Sequence, residues 1–202
     1  MSIRCDDMSL RERKKEKKIN EIMNSAMGLI SKKGYHATTM DDIASELLMT
    51  KGSLYYYFKD KEDLVFYCTK QLLGESIQQA EEIERLDVNS HEKLHKAIVV
   101  HMEYLLTERS GFEIGSKPRS FFSGEKLDHV VKLRHDYASC MDRMIGEGMA
   151  SGEFEQGDVK VKRNLLLGAM NYSISWYSLS GPLDITETAH KSAEHLMKMF
   201  VK

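Results

Sequence analysis

Residues 91–95 read His-Glu-Lys-Leu-His, a spacing in which two histidines one helical turn apart can hold zinc while the glutamate between them activates a water. His101 falls where the extended form of that pattern has its third ligand, and with Glu92 as base the chain would be a zinc hydrolase. That form needs a glycine to bend the chain so that the third histidine can return, and Ile98 stands there instead. Leu94, Ala97, Ile98, Met102 and Leu105 keep helical spacing throughout, so the helix is expected to continue, with His101 on its inward face and His91 and His95 toward the edge. An inward imidazole either satisfies itself by a hydrogen bond or addresses a bound ligand. No Ser/His/Asp arrangement, phosphate-cradling glycine loop or carboxylate pair has supporting spacing, so neither enzymatic activity nor a metal or cofactor is expected.

A second stretch, Thr50 to Phe58 (TKGSLYYYF), carries a different chemistry. Adjacent helical side chains point about 100° apart, so no single apolar face can bury Tyr55, Tyr56 and Tyr57 together. With Leu54 and Phe58 four apart and inward, the rings fan across the remaining arc with hydroxyls and apolar faces outward. A phenol can donate to a phosphate oxygen or pack on a thymine methyl, and Lys51 can reach a guanine edge or a phosphate. Gly52 and Ser53 leave the helix start slim enough to approach a groove.

The elements that position these side chains follow from periodicity and caps. From Arg11 to Lys18 (RERKKEKK) six of eight residues are basic, although the whole chain has a net charge of -2. Cations at a helix start oppose the macrodipole, so a polyanionic partner would explain that placement. Ile19, Ile22, Met23, Ala26 and Ile30 then form a helical stripe that Gly34 closes. Thr39 with Asp42 reads as a capping box for a short second helix, and Leu48 and Met49 turn the chain into a third helix capped by Thr50. Two short helices joined by a tight turn make a helix-turn-helix.

The segment TTMDDIASELLMTKGSLYYYFKDKEDL, residues 38–64, resembles the signature of the tetracycline-repressor (TetR) family of bacterial transcription regulators. The resemblance implies an all-α fold: a helix-turn-helix DNA-binding domain over residues 9–59 and a helical effector-binding and dimerisation domain over 60–202. It implies a homodimer that binds operator double-stranded DNA and a small-molecule effector. Carried over by position, Thr39 and Lys61 would touch phosphates, Thr50 and Ser53 the DNA backbone, Lys51 and Tyr56 bases, and Tyr55 and Tyr57 mostly phosphates. Where the family commonly has glycine or another residue tolerant of positive φ, this chain has Leu48, which implies a strained turn or a different path.

In the body, a long amphipathic helix is expected from Asp60, with Leu64, Tyr67, Cys68, Leu72 and Ile77 at helical spacing. Candidates for an effector pocket are His101, Phe121 and Phe122 after a Gly111–Pro118 break, Tyr137, Met141 and Met144 on the next helix, and Tyr172 and Trp176 beyond. Thirteen methionines suggest adaptable walls for a largely apolar effector, and the C-terminal helices resemble those of fatty-acid-responsive relatives, which implies an acyl-coenzyme A-like compound. Arg119 and Arg134 are candidates for an acidic head group. The stretch NLLLGAMNYSISWYSLSG is apolar around too much of its circumference for one solvent-facing helix, and is expected to run to Leu179. A dimer seam is therefore placed on Leu165, Gly168, Ala169 and Tyr172, together with Ala189, Ala193, Leu196, Met197 and Phe200 of the last helix.

Composition fits this organisation: 42% hydrophobic and 30% charged residues with two prolines suit a soluble helical protein. No stretch has the length of a membrane span and the N-terminus has no secretory apolar core, which together point to the cytoplasm. Cys5, Cys68 and Cys140 are odd in number and scattered, so reduced thiols are expected. A constitutive DNA-binding protein with a solid body remains the alternative to an effector-gated one.

Overall fold

The computed structural model describes residues 9–201; Cys5 lies outside them. Among the described residues it has nine α-helices and no strand: α1 Leu10–Lys33, α2 Met40–Glu46, α3 Lys51–Tyr55, α4 Lys61–Glu84, α5 Ser90–Thr107, α6 Arg109–Ser116, α7 Gly124–Ala150, α8 Val159–Trp176 and α9 Ile185–Met197. Two compact units divide within α4, between Cys68 and Thr69. Among the described residues no helix is long and apolar enough to cross a membrane, and Cys68 and Cys140 are buried.

In the first unit α1 starts at a capping box: Ser9 Oγ accepts from Glu12 N and the Glu12 carboxylate accepts from Ser9 N. Its buried stripe is Ile22, Met23, Ala26, Leu29 and Ile30, and it ends at Gly34, whose φ of 83° favours glycine. Met40, Ile43 and Ala44 of α2, Leu54 of α3 and Phe58 join Leu64 and Val65 in the core. These apolar positions are i, i+3 and i+4 neighbours, so each short helix has one sealed face and one free face.

The second unit is built on α5, whose Leu94, Ala97, Ile98, Met102 and Leu105 are all buried. It packs along α9 and against α7 and α8. Three expectations need correction. The expected Gly111–Pro118 break contains α6, with Gly111, Phe112, Ile114 and Gly115 buried, because packing repays the low helix propensity of two glycines. The α8 helix ends at Trp176, where Tyr177 turns extended, rather than at Leu179. On α4, Tyr67 is exposed and Ile77 half-buried, while Leu64, Cys68 and Leu72 are core.

Candidate nucleic-acid interface and ligand cavity

Caps set the two short helices of the first unit. Thr39 Oγ1 accepts from Asp42 N (3.1 Å) while Asp42 Oδ2 accepts from Thr39 N (2.8 Å). The hydrogen bonds from Thr39 and then that from Lys33 Nζ hold the Asp42 carboxyl down to about 2. Thr50 Oγ1 accepts from Ser53 N (3.2 Å) and starts α3. Between the two helices, Met49 N donates to Ala44 O (2.9 Å) and Leu48 N to Ser45 O (3.1 Å), the paired bonds of a Schellman C-cap. Its left-handed position is Leu48, at φ 51° and 96% exposed. A side chain with no packing therefore sits in a backbone region that costs on the order of 1 kcal/mol.

The free face of α3 carries the residues singled out in the sequence. Leu54 and Phe58 are buried, Tyr56 is 70% exposed, Tyr55 is exposed and Tyr57 half-exposed. The Tyr56 and Tyr57 rings meet edge to face at 5.1 Å, which splays them apart. Lys51, Gly52 and Ser53 are exposed, and a Cβ on Gly52 would meet nothing within 4 Å. Lys51 Nζ pairs with Asp41 Oδ1 at 2.9 Å across solvent, and that hydrogen bond raises its pKa. Lys61 departs from expectation: its ammonium donates to Tyr35 O (2.6 Å) and Thr38 O (2.7 Å) and lies 4.3 Å from the Tyr35 ring centroid. Two of its three donors thus tie down the loop before α2, which leaves one for a phosphate, and burial pushes its pKa down.

The second unit contains a cavity of about 340 Å³, within the small-molecule range though near its lower end. Leu72, Leu73, Phe112, Val131 and Leu167 give it apolar walls. His101, Arg134, Tyr137, Arg163, Asn164 and Asn171 give it polar ones, and no carboxylate among the described residues borders it. His101 Nδ1 and Tyr137 Oη are 2.6 Å apart, and burial holds the imidazole down at about 4 and raises the phenol, so both are neutral at pH 7. His101 Nε2 is buried without a hydrogen-bond partner of ordinary geometry, although Asn171 lies close enough to favour the charged ring. Arg163 is mostly buried and opposes Asp142 at 3.4 Å. Arg134 has no partner carboxylate among the described residues, and desolvation lowers its pKa.

Of the expected pocket residues, His101, Tyr137 and Arg134 line this cavity, and Arg119 does not. Met141 borders only a void of about 10 Å³, and Met144 is sealed core. Phe121 and Phe122 are absent from the wall, and Tyr172 and Trp176 are 69% and 55% exposed on the outer face of α8. Among the described residues no methionine borders the larger cavity, so the expected methionine wall is corrected to a mixed polar and aliphatic one. Arg163 is hidden among the charged residues that open α8, and Asn164 and Asn171 within a stretch that reads as apolar all round.

The α8 face is also informative. Val161, Leu165, Tyr172, Trp176 and, past the helix end, Leu179 are more than half exposed, with Gly168 and Ala169 exposed between them. The α9 half of the expected seam is corrected: Ala189, Ala193 and Phe200 are 0% exposed and Met197 3%, all enclosed within their own unit. Leu196 alone of that set is partly accessible. The His-Glu-Lys-Leu-His stretch lies on an unbroken α5; His91 and His95 stack at 6.4 Å near the surface while His101 packs against Tyr137 and Phe112 inside.

Comparison with known proteins fits this geometry. Residues 22–68 match the bacterial regulatory proteins of the tetR family, and residues 87–200 match the tetracyclin repressor-like C-terminal domain. The chain belongs to the TetR family. Its relatives are transcription regulators rather than enzymes. It is 25% identical over 190 residues to the fatty acid metabolism regulator protein of Bacillus subtilis (strain 168), covering 92% of this chain and 96% of that one. A TetR/AcrR-family regulator from Thermobifida fusca superimposes with a TM-score of 0.74 at 29% identity, covering 90% and 97% of the two chains. AibR, solved with isovaleryl coenzyme A and operator DNA, shares the fold at a TM-score of 0.77 and 21% identity, covering 90% and 96%.

Proposed function

We propose that this TetR-family chain is a homodimeric repressor in the cytoplasm, released from its operator by a small acyl compound bound in the second unit. The observation that carries the DNA half is the split of one short helix: Leu54 is sealed, and Phe58 just beyond it, while Lys51, Gly52, Ser53 and Tyr56 stand in solvent. Lys51 and Tyr56 read base edges. Thr39, Thr50, Ser53, Tyr55 and Tyr57 hold phosphates and sugars and so fix the register. The basic Arg11–Lys18 run adds sequence-independent attraction to the phosphate backbone.

Two such heads need a fixed separation, because successive major grooves on one face of a duplex lie about 34 Å apart. The exposed apolar stripe of α8 supplies the seam, since faces of this kind mark association sites. Ligand gating is favoured over constitutive binding by the cavity, whose aliphatic wall suits an acyl chain; AibR was solved with such a thioester. An effector that binds better to the state with the wrong head spacing lowers operator affinity by its differential affinity for the two states. The α4 helix, continuous from one unit into the other, is the element that transmits the change.

The test is a footprint on DNA from the region upstream of the chain's own gene, over a salt series. Protection of two half-sites on one face of the duplex, relieved by an acyl thioester, is the expected result; affinity no greater than for random DNA excludes an operator at that site.

A further inference from the structure

We infer that the cavity takes a ligand whose carbonyl oxygen accepts a hydrogen bond from His101 Nε2–H while a negative charge on the same ligand faces Arg134. This rests on the cavity being the effector site and names the chemistry that the site selects.

The proton positions follow from counting donors. His101 is 6% exposed and Tyr137 8%, and each borders the cavity. Their one hydrogen bond of ordinary geometry among the described residues joins His101 Nδ1 to Tyr137 Oη at 2.6 Å. If Nδ1–H donated, the phenol proton would be left in the interior without an acceptor of ordinary geometry, and a bare Nε2 would face the Asn171 side chain, which favours a proton there. If the phenol donates to Nδ1, its proton is satisfied and the imidazole proton must sit on Nε2. That Nε2–H makes no hydrogen bond of ordinary geometry and has only the imperfectly placed Asn171 side chain beside it, and a poorly satisfied buried donor is costly, so a ligand oxygen competes for it. Burial keeps the ring neutral at pH 7, so Nε2–H suits a neutral oxygen such as a carbonyl, whereas an anion gains more from a cation.

The cation is Arg134. Arg163, the other guanidinium of the wall, is opposed by Asp142, while Arg134 faces no carboxylate among the described residues and none borders the cavity. The wall thus combines an interior neutral donor, an accessible positive charge and aliphatic side chains between. A free carboxylic acid and the thioester of a phosphorylated carrier both offer a carbonyl and negative charge, and they are separated by experiment.

Isothermal titration of the full-length protein with hexanoyl-coenzyme A, its thioether S-hexyl-coenzyme A, and hexanoate supplies the test. The thioether keeps the chain and phosphates but lacks the carbonyl. Expected is about ten-fold to hundred-fold tighter binding of the thioester than of the thioether. That ratio should collapse toward one in His101→Leu and Tyr137→Phe, with Arg134→Gln weakening all charged ligands. Hexanoate binding as tightly as the thioester identifies the free acid as the source, and weak hexanoate binding identifies the carrier. Nitrogen NMR of His101 at pH 7 should show the proton on Nε2, a readout that mere loss of packing does not move. Equal affinity for thioester and thioether, a preference that survives His101→Leu, a proton on Nδ1, or no binding by any of the three overturns the inference. Failure of the effector site itself looks different: hexanoyl-coenzyme A would then bind Leu167→Trp, whose indole fills the cavity, as well as wild type.

Discussion

The two units present their chemistry in opposite ways. In the first, every group on the proposed reading face lies between Thr39 and Tyr57, held by two caps and a Schellman turn made of neighbouring residues. In the second, the cavity wall draws on residues from Leu72 to Asn171, and its imidazole, His101, is buried. A surface that meets a large, regular polyanion can be built from contiguous sequence. A cavity that selects a small molecule has to be enclosed by helices distant in the chain, and its chemistry depends on which of their polar residues turn inside.

The contrast can be broken most forcefully at the seam. Leu165→Asp combined with Tyr172→Asp places two charges on the α8 stripe and should give a monomer with operator affinity reduced by on the order of 100-fold or more, as paired engagement is lost. Sedimentation velocity and operator titration check this, and a stable dimer would move the seam elsewhere.

Protonation separates the units next. His101 is held at about 4 in the folded chain, against about 6.5 unfolded. The unfolded chain therefore binds more protons between those values. Stability is complete above pH 6.5 and declines as pH falls toward 4, by up to about 3 kcal/mol. Denaturant titrations across that window should show the slope in the second unit and a smaller one in His101→Gln.

In the head, Leu48→Gly relieves the left-handed backbone cost with no packing to lose, so the first unit should gain about 1 kcal/mol in chemical denaturation. A loss would show that Leu48 makes contacts its exposure does not reveal. The smallest effect is expected from Asp41→Asn, which frees Lys51 and removes a negative charge beside the reading face. Operator affinity should rise a few-fold, with little change in stability, because solvent screens so exposed an ion pair.

Much of the head is legible in the amino-acid sequence alone. Thr39 with Asp42, Thr50, Gly34 and the inward pair of Leu54 and Phe58 are local signals, and the structure has each in its expected place. The positive φ at Leu48 is one of the two outcomes the turn allowed. Lys61 escaped because only the folded loop reveals two carbonyls converging on its ammonium. In the body, Asp158 and Asp184 open α8 and α9 as their cap chemistry indicates. Which face of α9 turns inward is decided by α5, far away in sequence, so Ala189, Ala193, Met197 and Phe200 read equally well as core or seam. The two glycines of α6 disguised a helix for the same reason: tertiary packing outweighs local propensity.

The central claim is that Tyr56 belongs to a DNA-reading face, and paired affinities of wild type and Tyr56→Ala for operator and for random duplex test it most directly. The account predicts that Tyr56→Ala loses about 1–3 kcal/mol on the operator and little on random DNA, because a base contact carries specificity while phosphate contacts do not. Equal operator affinity for the two proteins, or an equal loss on both DNAs, would contradict it.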